Sequence, residues 1–212
     1  MYNKLQYISQ GNTVEEQLLN IHKALDNGCD WIQLRYKNGS QQELHTLAER
    51  VKIICDVYLA SYIINDNVHL AEELDADGVH LGLNDMDTKE ARAILGKTKI
   101  IGGTANTFED VVLQVKNGCD YIGLGPFQFT KTKENLSPVL GLAGYHSIIE
   151  RMKAQNNEIP IFAIGGIELE NIDSLMETGI YGIAVSGLIT QSKSPSQLIT
   201  QLNNKLYDGI NV

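Results

Sequence analysis

Residues 61–85 read SYIINDNVHLAEELDADGVHLGLND. Two short apolar runs, 62–65 and 78–81, enclose a stretch in which a helix is expected to open at His69. Strands that are apolar along nearly their whole length, rather than at alternate positions, belong to parallel sheets covered on their outer face. Working outward from this unit, similar runs occur at 5–9, 31–35, 99–103, 121–125, 159–164 and 182–185. The segments between them repeat with helical periodicity. Leu18, Ile21 and Leu25 share one face of 14–25, and Leu44, Leu47, Val51 and Ile54 share one face of 42–57. Gly28, Gly96, Gly118 and Gly179 suit the left-handed position after a helix. Asp87, Thr107 and Ser194 suit N-caps, and Pro195 suits a first helical turn. Eight strand–helix units of roughly 26 residues each predict an α/β fold, a single-domain (β/α)8 TIM barrel over residues 1–212. The competing arrangement is an open doubly wound sheet. Its dinucleotide-binding version is disfavoured because no G-x-G-x-x-G follows the first strand.

Composition narrows the function classes. The 212 residues are 43% hydrophobic and 20% charged, which excludes a disordered chain. No apolar run approaches the roughly 18–20 residues that cross a bilayer. The opening MYNKLQYISQGN has no basic stretch followed by an apolar core, so no signal peptide is expected. A net charge of −9 argues against a broad nucleic-acid surface. Cys29, Cys55 and Cys119 are odd in number and far apart, which suits structural thiols in a reducing cytoplasm.

In a barrel of this kind, chemistry is expected where strands end at their C-terminal side. Alternation points Gln33, Arg35 and Lys37 one way if the second strand extends that far, which makes a receptor for phosphate or pyrophosphate; the alternative is a solvated loop with ordinary surface charges. Asn65 and Asp66 follow the third strand, and Asp85 follows the fourth. Neighbouring strands lie ~4.8 Å apart, so both carboxylates are expected to reach one Mg²⁺ shared with a substrate phosphate. The alternative is that each Asp caps a helix or forms a turn. After the sixth strand comes the long polar loop 126–138, with Thr130, Lys131, Thr132 and Lys133, placed to serve as a lid or clamp. Gly165-Gly166 and Val185-Ser186-Gly187 close the last two strands with small residues that let backbone N–H groups approach a second anion. No nucleophile–base pair is evident. Ser186 has no evident histidine, and His80 reads as a satisfied core residue. Two anion sites and a metal pair without a nucleophile suggest transfer of an activated group between two small phosphorylated molecules, driven by charge neutralisation and positioning.

Together these junctions resemble the thiamine phosphate synthase family over nearly the whole chain. QLRYK at 33–37, IINDN at 63–67, DGVHLGLND at 77–85, YIGLGPFQFTKTK at 121–133, IFAIGGI and GIAVSGLI match the family's motifs in order. The resemblance implies a (β/α)8 barrel that joins hydroxymethylpyrimidine diphosphate to hydroxyethylthiazole phosphate with release of pyrophosphate. It implies that Gln33, Arg35, Lys37, Asn65 and Lys133 hold the pyrophosphate and that Asp66 and Asp85 bind Mg²⁺. Thr130, Thr132, Gly166 and Ser186 would contact the thiazole phosphate, with Val185 adjacent. The implied mechanism is dissociative, with Arg35, Lys37, Lys133 and Thr104 nearest the chemistry. The chain departs from the family where Gly103-Thr104-Ala105-Asn106-Thr107 replaces the usual G-x-S-x-H-T, and at Asn67 and Leu83. Thr104 keeps a hydroxyl for the pyrimidine. Asn106 has no titrating group, which counts against the related thiazole tautomerase. That paralogue and a non-catalytic barrel binding a thiamine intermediate are the alternatives. Expected partners are small phosphorylated substrates, with no nucleic acid and no membrane; a homo-oligomer is compatible with the sequence.

Overall fold

The computed structural model describes residues 2–129 and 138–207. Eight strands, β1 Leu5–Ile8, β2 Trp31–Leu34, β3 Ser61–Asn65, β4 Gly78–Leu81, β5 Ile100–Ala105, β6 Tyr121–Leu124, β7 Ile161–Ile164 and β8 Gly182–Val185, close into a barrel in chain order. Every pairing is parallel, and β1 joins β8 through Leu5 opposite Ile183. The helices between them are α1 Val14–Asp26, α2 Gln41–Tyr58, α3 Val68–Glu73, α4 Thr88–Leu95, α5 Phe108–Lys116, α6 Gly141–Ala154 and α7 Ile172–Glu177. A single helical turn, α8 Gly187–Thr190, precedes the last helix, α9 Pro195–Tyr207. Closure of all eight strands excludes the open sheet. No described helix is long and apolar enough to cross a membrane.

Local signals account for the helix starts. Ser40 and Glu43 make a reciprocal capping box on α2, and Thr107 and Asp110 make one on α5. Asp87 caps α4 by accepting from the Lys89 N–H. Two strand boundaries differ from expectation by two residues, and the others by at most one. β7 starts at Ile161, because Pro160 has no N–H for a ladder bond; its carbonyl accepts from Ile122 instead. β5 runs on past Gly103 to Ala105, since Thr104 and Ala105 pair with Gly123 and Leu124 of β6. Pairing with a neighbour outweighs the weak strand preference of the glycines, and it places Thr104 inside the wall.

Alternation splits the apolar residues into two layers. Residues such as Ile32, Leu34, Ile64 and Val79 face outward and pack under the helices. Trp31, Ile63, Tyr121 and Phe162 face inward as a separate cluster, with Trp31 edge-on to Phe162 at 5.0 Å. These rings fill the barrel's lower interior, each burial favouring the fold by ~1.5–3 kcal/mol. Function is thereby confined to the upper end. Cys29, Cys55 and Cys119 are all buried thiols, and burial pushes each up to about 12, as suits structural residues.

Candidate active site

The upper mouth holds a cavity of about 610 Å³, lined by Arg35, Asn106, Gly166, Val185 and Ser186 among others. Four of the residues singled out from sequence, Arg35, Gly166, Val185 and Ser186, thus meet in one space. Arg35 stands one residue past β2. Its N–H donates to Ser9 Oγ at 2.9 Å, and its carbonyl accepts from Gln17 Nε2 at 3.2 Å. Burial pushes the guanidinium below its ordinary range, while the negative charge of Asp66 opposes that shift. A partly desolvated cation of this kind gains most from an anionic ligand.

Gln33 is two residues back on the same strand, so it lies one pleat deeper. It is 2% exposed, level with Ile8 and Ile63, and its buried Nε2 has the Tyr121 hydroxyl nearby but no acceptor at full hydrogen-bond range. An amide donor so loosely engaged inside the barrel suits a ligand acceptor. Lys37, by contrast, reaches outward and pairs with Asp66 at 3.3 Å. The three alternating side chains therefore form a ladder from floor to rim rather than one flat receptor.

Asp66 has φ +66, a left-handed conformation uncommon outside glycine, and its N–H donates to the His80 carbonyl. It does not cap α3; Asn67 does, accepting from the Leu70 N–H at 3.0 Å. The departure at Asn67 thus has a structural role of its own. Freed from capping, the Asp66 carboxyl faces Asp85 and Lys37. It is pushed up to about 6, first by burial and then by Asp85, with Lys37 opposing. Asp85 uses Oδ2 to accept from the Gly82 N–H at 2.6 Å, closing the turn after β4. It is a turn former and a neighbour of Asp66 at once. Two facing carboxylates, the Asp66 one held partly out of water, are an oxygen donor set suited to a hard divalent cation. Among the described residues they are a pair, not part of a larger His/Cys/Asp/Glu cluster.

On the opposite rim, Gly165 and Gly166 adopt φ +85 and +70. A Cβ on Gly166 would lie 2.8 Å from the carbonyl oxygens of Gln128 and Phe129. Gly166→Ala is therefore expected to cost about 2 kcal/mol. A thermal melt should show Tm lower by roughly 4–8 °C; an unchanged Tm would remove the packing argument. Ser186 sits just before α8, its Oγ 3.5 Å from Gln10 Oε1. Asn65 ends β3 beside His80. Thr130, Lys131, Thr132 and Lys133 lie outside the described residues.

The sequence offered little sign of Asn106's position. Its Nδ2 donates to the Gly125 carbonyl, tying the top of β5 to that of β6, and it borders the cavity. Asn106→Ala is expected to lose about 1 kcal/mol of stability and to keep turnover within ~10-fold, since no proton moves through it. Denaturant melts beside steady-state rates check both. Complete loss of turnover with the fold intact would mean that Asn106 acts in the chemistry.

A family model described as thiamine monophosphate synthase matches residues 5–189. The chain belongs to the thiamine monophosphate synthase family. It is 69% identical over 206 residues to the thiamine-phosphate synthase of Flavobacterium psychrophilum, covering 97% of this chain and 100% of that relative. It is 64% identical over 210 residues to that of Flavobacterium johnsoniae, covering 99% of each. Among solved structures, a thiamine phosphate pyrophosphorylase from Pyrococcus furiosus superposes with a TM-score of 0.81 at 30% identity, covering 97% and 96% of the two chains. Family membership bears out the resemblance drawn from the six motifs and makes the chain a transferase of thiamine biosynthesis.

Proposed function

We propose that the chain, as one domain over residues 1–212, is a cytoplasmic, Mg²⁺-dependent thiamine-phosphate synthase. It condenses hydroxymethylpyrimidine diphosphate with hydroxyethylthiazole phosphate, giving thiamine phosphate and pyrophosphate. The observation that supports this most is the Arg35–Lys37–Asp66–Asp85 rim facing the Gly166–Ser186 rim across one mouth. Two anion-binding edges on either side of one space match two phosphorylated substrates that must meet.

Arg35, Lys37, Asn65 and Lys133 take the diphosphate. Gln33 and Thr104, deeper in the barrel, take the pyrimidine. Thr130, Thr132, Gly166, Val185 and Ser186 take the thiazole phosphate. Asp66 and Asp85 hold Mg²⁺, which supplies charge neutralisation to the diphosphate. The carbon–oxygen bond to pyrophosphate breaks first, its electron pair leaving with pyrophosphate. The thiazole nitrogen lone pair then captures the pyrimidinylmethyl cation. Arg35 stabilises the charge that grows on the leaving group, an effect that strengthens along the reaction. The cavity walls formed by Val185 and Ile164 shield the cation from water. No protein nucleophile is needed.

The decisive experiment mixes purified protein with both substrates, with Mg²⁺ or with chelator, and reads thiamine phosphate by chromatography. Mg²⁺-dependent product is expected. Absence of product, with both ligands still binding by calorimetry, would overturn the synthase reading in favour of a binding barrel or a tautomerase.

A further inference from the structure

Below the mouth lies a chain of buried polar side chains of which the proposed chemistry uses only the last, Thr104. Gln6 Nε2 donates to the Tyr121 hydroxyl oxygen at 3.1 Å. The same hydroxyl is 3.1 Å from His80 Nδ1. On the other side of that ring, His80 Nε2 is 3.0 Å from Thr104 Oγ. His80 is 7% exposed and Thr104 is 4% exposed. Space for the network is built into β5. A Cβ on Gly102 would lie 2.3 Å from Tyr121 Cζ and 2.5 Å from His80 Nδ1.

We propose that Gln6, Tyr121 and His80 are positioning residues that hold the Thr104 hydroxyl as a hydrogen-bond donor toward a ring nitrogen of the heteroaromatic substrate. This deepens the synthase reading and rests on its placing of the pyrimidine at Thr104. Proton counting gives the direction. The Tyr121 oxygen receives the Gln6 N–H and also faces the Gln33 amide, so two amide donors occupy its lone pairs and its own proton is left for His80 Nδ1. An imidazole that accepts at Nδ1 carries its proton on Nε2 when neutral. Nε2–H then donates to Thr104 Oγ, and the threonine proton is turned away from His80. Burial pushes Tyr121 well above the usual phenol range, so it stays a donor at neutral pH. A hydroxyl free to rotate would serve a donor or an acceptor alike. One whose oxygen is engaged by an imidazole N–H favours substrates that present a lone pair.

Two measurements test this on the full chain. The first is the ¹⁵N spectrum of histidine-labelled, substrate-free protein, with His80 assigned by its loss in His80→Gln. A neutral imidazole with the proton on Nε2 is expected. Protonation on Nδ1, or a doubly protonated ring, overturns the relay whether or not the protein is active. The second is kinetic. Tyr121→Phe keeps the ring's contacts with Trp31 and Phe162 and removes only the hydroxyl. It should raise KM for the pyrimidine diphosphate about 3–10-fold, the worth of one hydrogen bond, and leave KM for the thiazole phosphate unchanged. In a Thr104→Val background the same change should have no further effect on either KM. His80→Gln, which returns an amide donor near Nε2, should restore most of the pyrimidine affinity that His80→Asn loses. Equal effects on both KM values, or additive effects of Tyr121→Phe and Thr104→Val, would reduce the network to packing. Failure of the wild-type protein to make thiamine phosphate would instead sink the synthase reading and leave the tautomer result to judge the relay.

Discussion

Replacing Arg35 with alanine should lower kcat/KM for the pyrimidine diphosphate by at least ~10²-fold. A charge-assisted contact is worth about 1.5–3 kcal/mol, and preorganised donors facing developing anionic charge cost ~10²–10³ in rate when removed. Both of Arg35's backbone hydrogen bonds, to Ser9 and from Gln17, survive truncation of the side chain. The fold should therefore hold, and circular dichroism with a thermal melt would verify it. Arg35→Lys should recover only part of the loss, because an ammonium cannot reproduce the planar fork. If Arg35 acts on the leaving group as its charge grows, kcat falls along with kcat/KM; a change confined to KM would make it a ground-state binder only. Unchanged turnover in a folded variant would remove Arg35 from the mechanism.

The second large effect is expected at the metal pair. Asp66→Asn keeps the side chain's shape but removes one of two anionic ligands, so the Mg²⁺ concentration for half-maximal rate should rise at least ~10-fold. A metal titration identical to wild type would reject the assignment. The pH dependence has a definite sign. Asp66 titrates near 6 in the fold against an ordinary 3.8, so the folded chain holds its proton more tightly than the unfolded chain. Stability of the metal-free protein therefore declines as pH rises from about 4 to about 6 and levels off above that. Metal binding needs the ionised form. Apparent Mg²⁺ affinity should be flat above pH 6 and fall about tenfold per pH unit below it. In Asp66→Asn that slope should vanish, and the metal-free protein at pH 7 should melt no lower than wild type, since the repulsion from Asp85 is relieved. Calorimetric titrations at several pH values read both.

Much of this site was legible in the chain because its signals are local. The apolar runs recur at intervals that suit a strand–helix repeat, and each cap read from the sequence, such as Asp87 or Thr107, acts within four residues. The spacing Gln33-x-Arg35-x-Lys37 places three donors on one side of a strand by period alone. Asp66 and Asp85 follow adjacent strands, so parallel order brings them together. Family membership then accords with the six motifs read in order.

What the spacing left undetermined is depth and partnership. Gln33 and Arg35 point the same way, but only the stagger of a closed barrel makes one a buried floor residue and the other a rim residue. Asp66 reads equally well as a helix cap; the left-handed turn at 66 hands capping to Asn67 and turns the carboxyl toward Lys37 and Asp85. His80 and Tyr121 are 41 residues apart, and nothing in either motif announces their contact. Periodicity and capping depend on neighbours a few residues away, so composition and order suffice to define them. Contacts across the barrel depend on register and on which side chains leave room, as Gly102 does for His80 and Tyr121, and those are settled only when all eight strands close on one another.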